Sequence, residues 1–232
     1  MTRIAIALLT TLAALEPANA VGIKVTGVRV EGTMAALLTP DKPRGAIILM
    51  AGGNGRIGVR SNGTIKKQRN QLVRTRAAYA GRGFAVLVPK GNVNVAAAVK
   101  MTRKFGPVTL VGTSRGTQRA ACGIAAGARP ARLVLTAGFL SNASGDTDNV
   151  ISILGSPSRL PPTLVIHHRN DQCKRTRPAG VDPFIAWSKG KARVGWLTGG
   201  KSKGRFCKPR SHHGFNGIDG AVVSAVSGFA AR

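Results

Sequence analysis

Five continuous apolar runs constrain this chain more than any other feature: Gly45–Met50 (GAIILM), Phe84–Val88 (FAVLV), Val108–Val111 (VTLV), Arg132–Ala137 (RLVLTA) and Thr163–His167 (TLVIH). Each has the length of a strand, and none shows the strict polar–apolar alternation of a half-exposed one. A strand written this way is covered on both faces. Two further strands, Val21–Val30 and Thr33–Thr39, flank the turn residues Glu31-Gly32, and Arg193–Leu197 (RVGWL) comes last. Helical segments are expected at 66–80, Asn92–Lys104, Gln118–Gly127, Pro183–Gly190 and 214–231. In the first of these, Lys66, Lys67, Arg69, Arg74 and Arg76 would face outward, and Leu72, Val73, Ala77 and Ala80 inward. Alternating strand and helix predicts an α/β chain in three layers, with a mostly parallel central sheet and helices on both faces. Asn62-Gly63, between Ile57–Val59 and Thr64-Ile65, predicts a small hairpin. Residues 139–162 are polar and rich in Pro and Gly, and too few for a large cap. Residues 21–232 are expected to form one domain.

The run at 108–111 ends in Gly112-Thr113-Ser114-Arg115-Gly116, and a helical segment follows. Strand, sharp turn and helix in that order put Ser114 at the apex of a nucleophile elbow. The turn lifts the hydroxyl clear of the sheet, so that a base can reach it from one side and a substrate from the other. Glycine two positions before and after leaves room where a β-carbon would meet a neighbouring segment. The motif alone is weak in a chain with 30 glycines, so its partners decide the matter. GAIILM runs into Ala51-Gly52-Gly53-Asn54-Gly55, a loop whose backbone N–H groups can turn toward a substrate oxygen.

A serine nucleophile of this kind needs an acid and then a histidine later in the chain. Beyond residue 20 there are seven acidic residues: Glu31, Asp41, Asp146, Asp148, Asp171, Asp182 and Asp219. Asp171 directly follows TLVIH, within His167-His168-Arg169-Asn170-Asp171, and is the expected acid. Asp182 reads as a helix N-cap, and Asp146 and Asp148 are the fallback. The base is expected in Ser211-His212-His213-Gly214-Phe215, with His213 first and His212 second. All four histidines lie at these two places. Two His pairs raise the question of zinc, but adjacent histidines rarely reach one metal, so no metal and no organic cofactor is expected. Ser114 would attack a carbonyl carbon, His213 would move the proton, and Asp171 would hold the imidazole tautomer. The N–H groups of Arg115 and Gly53 would bind the oxyanion.

Cys173 stands two residues after Asp171 and Cys207 six before His213. If the acid and base loops meet, these cysteines meet too, and a Cys173–Cys207 disulfide is expected. Cys122 falls in the helix after Ser114 and reads as a small buried apolar residue. Residues 1–20 read as a cleaved signal peptide: Arg3 is the positive end, Ile4–Leu15 the apolar stretch, and Ala18-Asn19-Ala20 the cleavage site. Export to the periplasm or the exterior follows. The formal net charge of +27 attracts anionic surfaces. Aromatics are only 4% and the bases are spread along the chain, so specific nucleic-acid binding is not expected. A monomer acting on a small or polymeric ester is expected. The competing reading is a basic protein that binds an anionic polymer or the cell envelope and has no activity.

The residues GAIILMAGGNG (45–55), VTLVGTSRG (108–116), TLVIHHRNDQC (163–173) and SHHGF (211–215) together resemble the α/β-hydrolases, in particular small secreted serine esterases and lipases. The resemblance spans about residues 45–230. It implies an eight-stranded type of sheet, the Ser114–Asp171–His213 triad and cleavage of carboxylic esters or related acyl bonds. One departure stands out: Ala51 occupies a position where many members carry histidine, which leaves Gly53 and Asn54 as alternatives for the second oxyanion donor.

Overall fold

The apolar runs become neighbouring strands of one eight-stranded sheet in a computed structural model that describes residues 22–232. The expected signal peptide, residues 1–20, lies outside the described residues. The strands are β1 (Ile23–Val30), β2 (Thr33–Pro40), β3 (Ala46–Met50), β4 (Ala85–Pro89), β5 (Val108–Thr113), β6 (Arg132–Thr136), β7 (Thr163–His168) and β8 (Ala192–Leu197). Their spatial order is β1-β2-β4-β3-β5-β6-β7-β8. β1 pairs with β2 and β2 with β4 in antiparallel fashion, and the other five pairings are parallel. The helices are α1 (Gln71–Arg74), α2 (Arg76–Ala80), α3 (Val95–Thr102), α4 (Arg115–Ala125), α5 (Val150–Leu154), α6 (Val181–Trp187) and α7 (Asp219–Ala230).

Side chains alternate across the pleat, and β3 shows the result. Ala46, Ile48 and Met50 pack with α3, α4, α5 and α6, while Ile47 and Leu49 pack with α1, α2 and α7. All of β3, β4 and β5 is buried. A continuous apolar run is what a strand between two helical layers requires. The parallel strands all end on the same side of the sheet, and the loops leaving β3, β5, β7 and β8 gather there. Among the described residues no helix is long and apolar enough to cross a membrane.

Several expected elements are redrawn. The helix expected at 66–80 does not begin until Gln71, because the Lys66 and Lys67 N–H groups donate to Gly58 O and Ile57 O, both at 2.9 Å. Asn70 then starts α1, its Oδ1 accepting from Leu72 N at 3.1 Å. Helical segments expected at 92–104 and 183–190 shorten to α3 and α6. Asp182 is not the N-cap of α6; Gly180 holds that place and Asp182 sits in the first turn. The last helix begins at Asp219 rather than 214, since Phe215 (φ 52°) and Gly217 (φ 88°) interrupt the backbone. Cys122 is exposed, not buried. It shares with Arg115, seven residues earlier, the outer stripe of α4, whose inner stripe is Ala120, Ala121 and Ile124.

Candidate active site

Ser114 stands between β5 and α4 with φ 52° and ψ −128°, a conformation residues with a β-carbon rarely adopt. The surroundings hold it there. The Ser114 N–H donates to Thr136 O at 3.0 Å. A β-carbon on Gly116 would lie 2.0 Å from Met50 O, and one on Gly112 would lie 2.6 Å from Gly116 O. The two motif glycines therefore let the elbow press against β3 and against itself.

The loop after β3 approaches as closely. A β-carbon on Gly52 would be 3.1 Å from Ser114 Cβ. Gly53 has φ +61° and open space around it. Among the described residues, the backbone N–H groups of Gly53, Asn54 and Arg115 donate to no protein acceptor. Arg119, one turn into α4, holds this loop from behind. Its Nη1 donates to Gly53 O at 2.9 Å and its Nη2 to Ala51 O. Asn70 lines the same cleft, and with its Oδ1 fixed on Leu72 N its amide nitrogen has no acceptor among the described residues. Neither Arg119 nor Asn70 was singled out from the sequence. An Arg at the fifth helical residue after the elbow and an Asn before α1 read as ordinary until the loop path is known.

Arg119 thereby positions the loop after β3. Replacing it with Met keeps the stem and removes both donors to the loop. The expected result is a fall in kcat of about ten-fold or more with little change in KM, partly restored by Arg119→Lys. An unaltered kcat would show that the loop holds its shape without Arg119.

Asp171 and His213 meet. His213 Nδ1 lies 3.0 Å from Asp171 Oδ2, and both groups are buried. Asp171 Oδ1 accepts the Cys173 N–H at 2.9 Å. The buried Thr176 hydroxyl donates to Asp171 Oδ2 at 3.3 Å and lies 3.0 Å from His213 Nδ1. It too was missed from the sequence. His212 is turned away from the acid: it stacks on His168 with ring centroids 4.3 Å apart and places Nδ1 3.2 Å from Asn170 O. Cys173 and Cys207 form a disulfide across a separation of 34 residues. Such a bond persists in oxidising compartments. The acid and base loops are thus joined by a hydrogen bond, a ring stack and a covalent bridge. Asp146, the fallback acid, instead pairs with Arg175 at 2.6 Å.

Ser114 and His213 line one cleft of about 530 Å³, together with Gly52, Gly53, Asn54 and Thr113. Asp171 lies behind His213, out of the cleft. His167 and His168 belong to β7 and are buried, the strand expected at Thr163–His167 running one residue further. His167 leans on Trp196, and its Nε2 has no partner among the described residues. Burial pushes its pKa below the ordinary 6.5, which the charge of Asp171 partly opposes. The unfolded chain therefore binds a proton near pH 6.5 that the folded chain refuses. That contribution to stability is complete above about pH 6.5 and is lost as the pH falls toward the depressed folded value. The melting temperature should fall on acidification below about pH 6.5, and less steeply in His167→Leu. Equal slopes in the two proteins would exclude His167 as the source.

No family model and no curated protein matches the sequence. Solved structures do match in three dimensions. TT1662 from Thermus thermophilus superposes with a TM-score of 0.61 at 14% identity, covering 91% of this chain and 99% of that one. A cold-adapted esterase from an Arctic intertidal metagenomic library gives 0.58 at 13%, covering 92% and 96%. Carboxyl esterase 2 from the mycorrhizal fungus Tuber melanosporum gives 0.57 at 14%, covering 94% and 88%. At such identities the likeness speaks for the fold: this chain has the α/β-hydrolase fold.

Proposed function

We propose that this protein is an exported serine hydrolase that cleaves carboxylic esters. The observation carrying the reading is the shared cleft: Ser114 at the tip of its elbow and His213, backed by Asp171, line the same space. Asp171 at Nδ1 fixes the tautomer that leaves Nε2 free to accept a proton. In the first half-reaction Ser114 Oγ bonds to the carbonyl carbon as its proton passes to His213. The tetrahedral oxyanion is held by the N–H of Arg115 and that of Gly53 or Asn54, each such donor being worth roughly 3 kcal/mol in the transition state. The C–O bond to the alcohol then breaks, and His213 protonates the leaving oxygen. In the second half-reaction water attacks the acyl-enzyme, gives a proton to His213, and releases the acid as Ser114 recovers its own. Thr176 steadies the Asp171–His213 pair. No cofactor enters these steps.

Export is supported by the leader-like residues 1–20 and by the Cys173–Cys207 bond, which suits an oxidising, extracellular or periplasmic setting. The test is labelling by a fluorophosphonate. A single adduct on Ser114, formed more slowly when excess ester is present during labelling, is the expected result. Absence of both labelling and ester hydrolysis would overturn the reading.

A further inference from the structure

The catalytic cleft is walled by cations that nothing among the described residues neutralises. Arg56, Lys66, Lys67 and Arg69 stand on one bank and Lys208 on the other. Their side chains make no hydrogen bond or ion pair among the described residues. This is unlike Arg74, held on Asp219 at 2.8 Å, or Arg175, held on Asp146. None of the seven acidic residues beyond residue 20 lines the cleft. Four of the seven are used elsewhere: Asp171 on His213, Asp219 on Arg74, Asp146 on Arg175, and Glu31 accepting from Asn94.

Both banks are built, not loose. Arg56 and Lys67 flank a hairpin closed by a Val59–Ile65 bridge, with Ile57, Val59 and Ile65 buried beneath it. The Lys67 N–H is bonded to Ile57 O, and the Arg56 N–H to Asn54 Oδ1. Lys208 follows Cys207, which the disulfide fixes beside the acid loop. A second cleft of about 660 Å³ shares Asn54, Arg56 and Lys67 with the first and continues to Lys90. A cationic shelf therefore leads outward from Ser114.

We infer that this shelf is an anion subsite: the substrate is an ester that also carries a carboxylate or comparable anionic group, held by Arg56 and Lys67 while the ester carbonyl lies at Ser114. The inference rests on the hydrolase reading and adds the substrate class to it. A neutral ester would leave the cations solvated and gain nothing from them. An anionic one is drawn in and oriented, its attraction strongest within a Debye length of about 8 Å at physiological salt.

The test compares three esters: para-nitrophenyl hexanoate, the para-nitrophenyl half-ester of adipic acid, and a nitrophenyl hexanoate bearing a ring carboxylate. The better charged ester should show a lower KM than the neutral one. In the double variant Arg56→Glu/Lys67→Glu the charged-to-neutral ratio of kcat/KM should fall about ten-fold or more, mainly through KM. Lys24→Glu/Lys100→Glu makes the same change of net charge on exposed residues outside both clefts and should keep the ratio. Arg56→Gln/Lys67→Gln serves if the reversed pair does not fold. A ratio unmoved by the cleft substitutions overturns the subsite while leaving the hydrolase standing. An equal fall in the control pair also overturns it, assigning the preference to the overall field. If no ester is cleaved and Ser114 takes no fluorophosphonate, the hydrolase reading has failed and the subsite falls with it.

Discussion

Ser114→Ala will lower kcat toward an activated carboxylic ester by about a million-fold, to a residual rate set by the oxyanion donors and by substrate binding. The size follows from the role assigned to Oγ. It is the atom that bonds to the acyl carbon, and no other hydroxyl shares the cleft with His213 except that of Thr113, the neighbouring strand residue. Ser114 also occupies φ 52°, so the same position makes a second prediction about stability. Alanine keeps the β-carbon and with it the strain. Glycine removes both, and Ser114→Gly should be more stable than wild type by about 1 kcal/mol while equally inactive. Turnover, fluorophosphonate labelling and thermal melting on the three proteins check these statements together. Retention of more than about 1% of wild-type kcat in Ser114→Ala would remove it as the nucleophile. A destabilised Ser114→Gly would show that the elbow is not strained.

What the sequence reveals differs from element to element, for physical reasons. β3, β4 and β5 are legible because both their faces are covered, and only a run such as AIILM survives that environment. The elbow is legible because backbone passes so near Gly112 and Gly116 that no other residue fits. Asp171 stands out because carboxylates are scarce and it directly follows a strand end. The helix expected at 66–80 fails for an equally specific reason. Its first two residues give their N–H groups to the hairpin at Ile57 and Gly58, a tertiary pairing that local periodicity does not encode. Thr176, Asn70 and Arg119 are legible only once the loops are traced, since each acts on a residue brought to it by the fold. Thr176 is only five residues from Asp171, but it meets the acid only because the loop folds back, its N–H donating to Cys173 O at 3.1 Å. The cationic shelf was hidden differently. The net charge of +27 says that cations are abundant, and says nothing of which ones are left unpaired beside Ser114.

Removing the staple between the two loops should separate stability from catalysis. Cys173→Ala/Cys207→Ala opens a loop with a sequence separation of 34, and the chain-entropy model assigns about 3 to 4 kcal/mol to that closure. Domains of this size are stable by only about 5 to 15 kcal/mol, so a large share of the margin goes with it. The melting temperature should fall by roughly 10 °C. Catalysis has other supports. The Asp171–His213 contact, the His168–His212 stack and the His212–Asn170 hydrogen bond all join the same loops without the sulfurs. The Cys173 N–H that donates to Asp171 is backbone and survives the substitution. At about 20 °C, well below its melting point, the double variant should therefore keep kcat for a neutral ester within about three-fold. The bank carrying Lys208 loses its anchor, so KM for an anionic ester should rise more than KM for a neutral one. A melting temperature within about 2 °C of wild type would show that the bridge constrains nothing the other contacts do not. A collapse of kcat at low temperature would show that the bridge, and not the ring stack and the Asp171–His213 hydrogen bond, holds His213 against its acid.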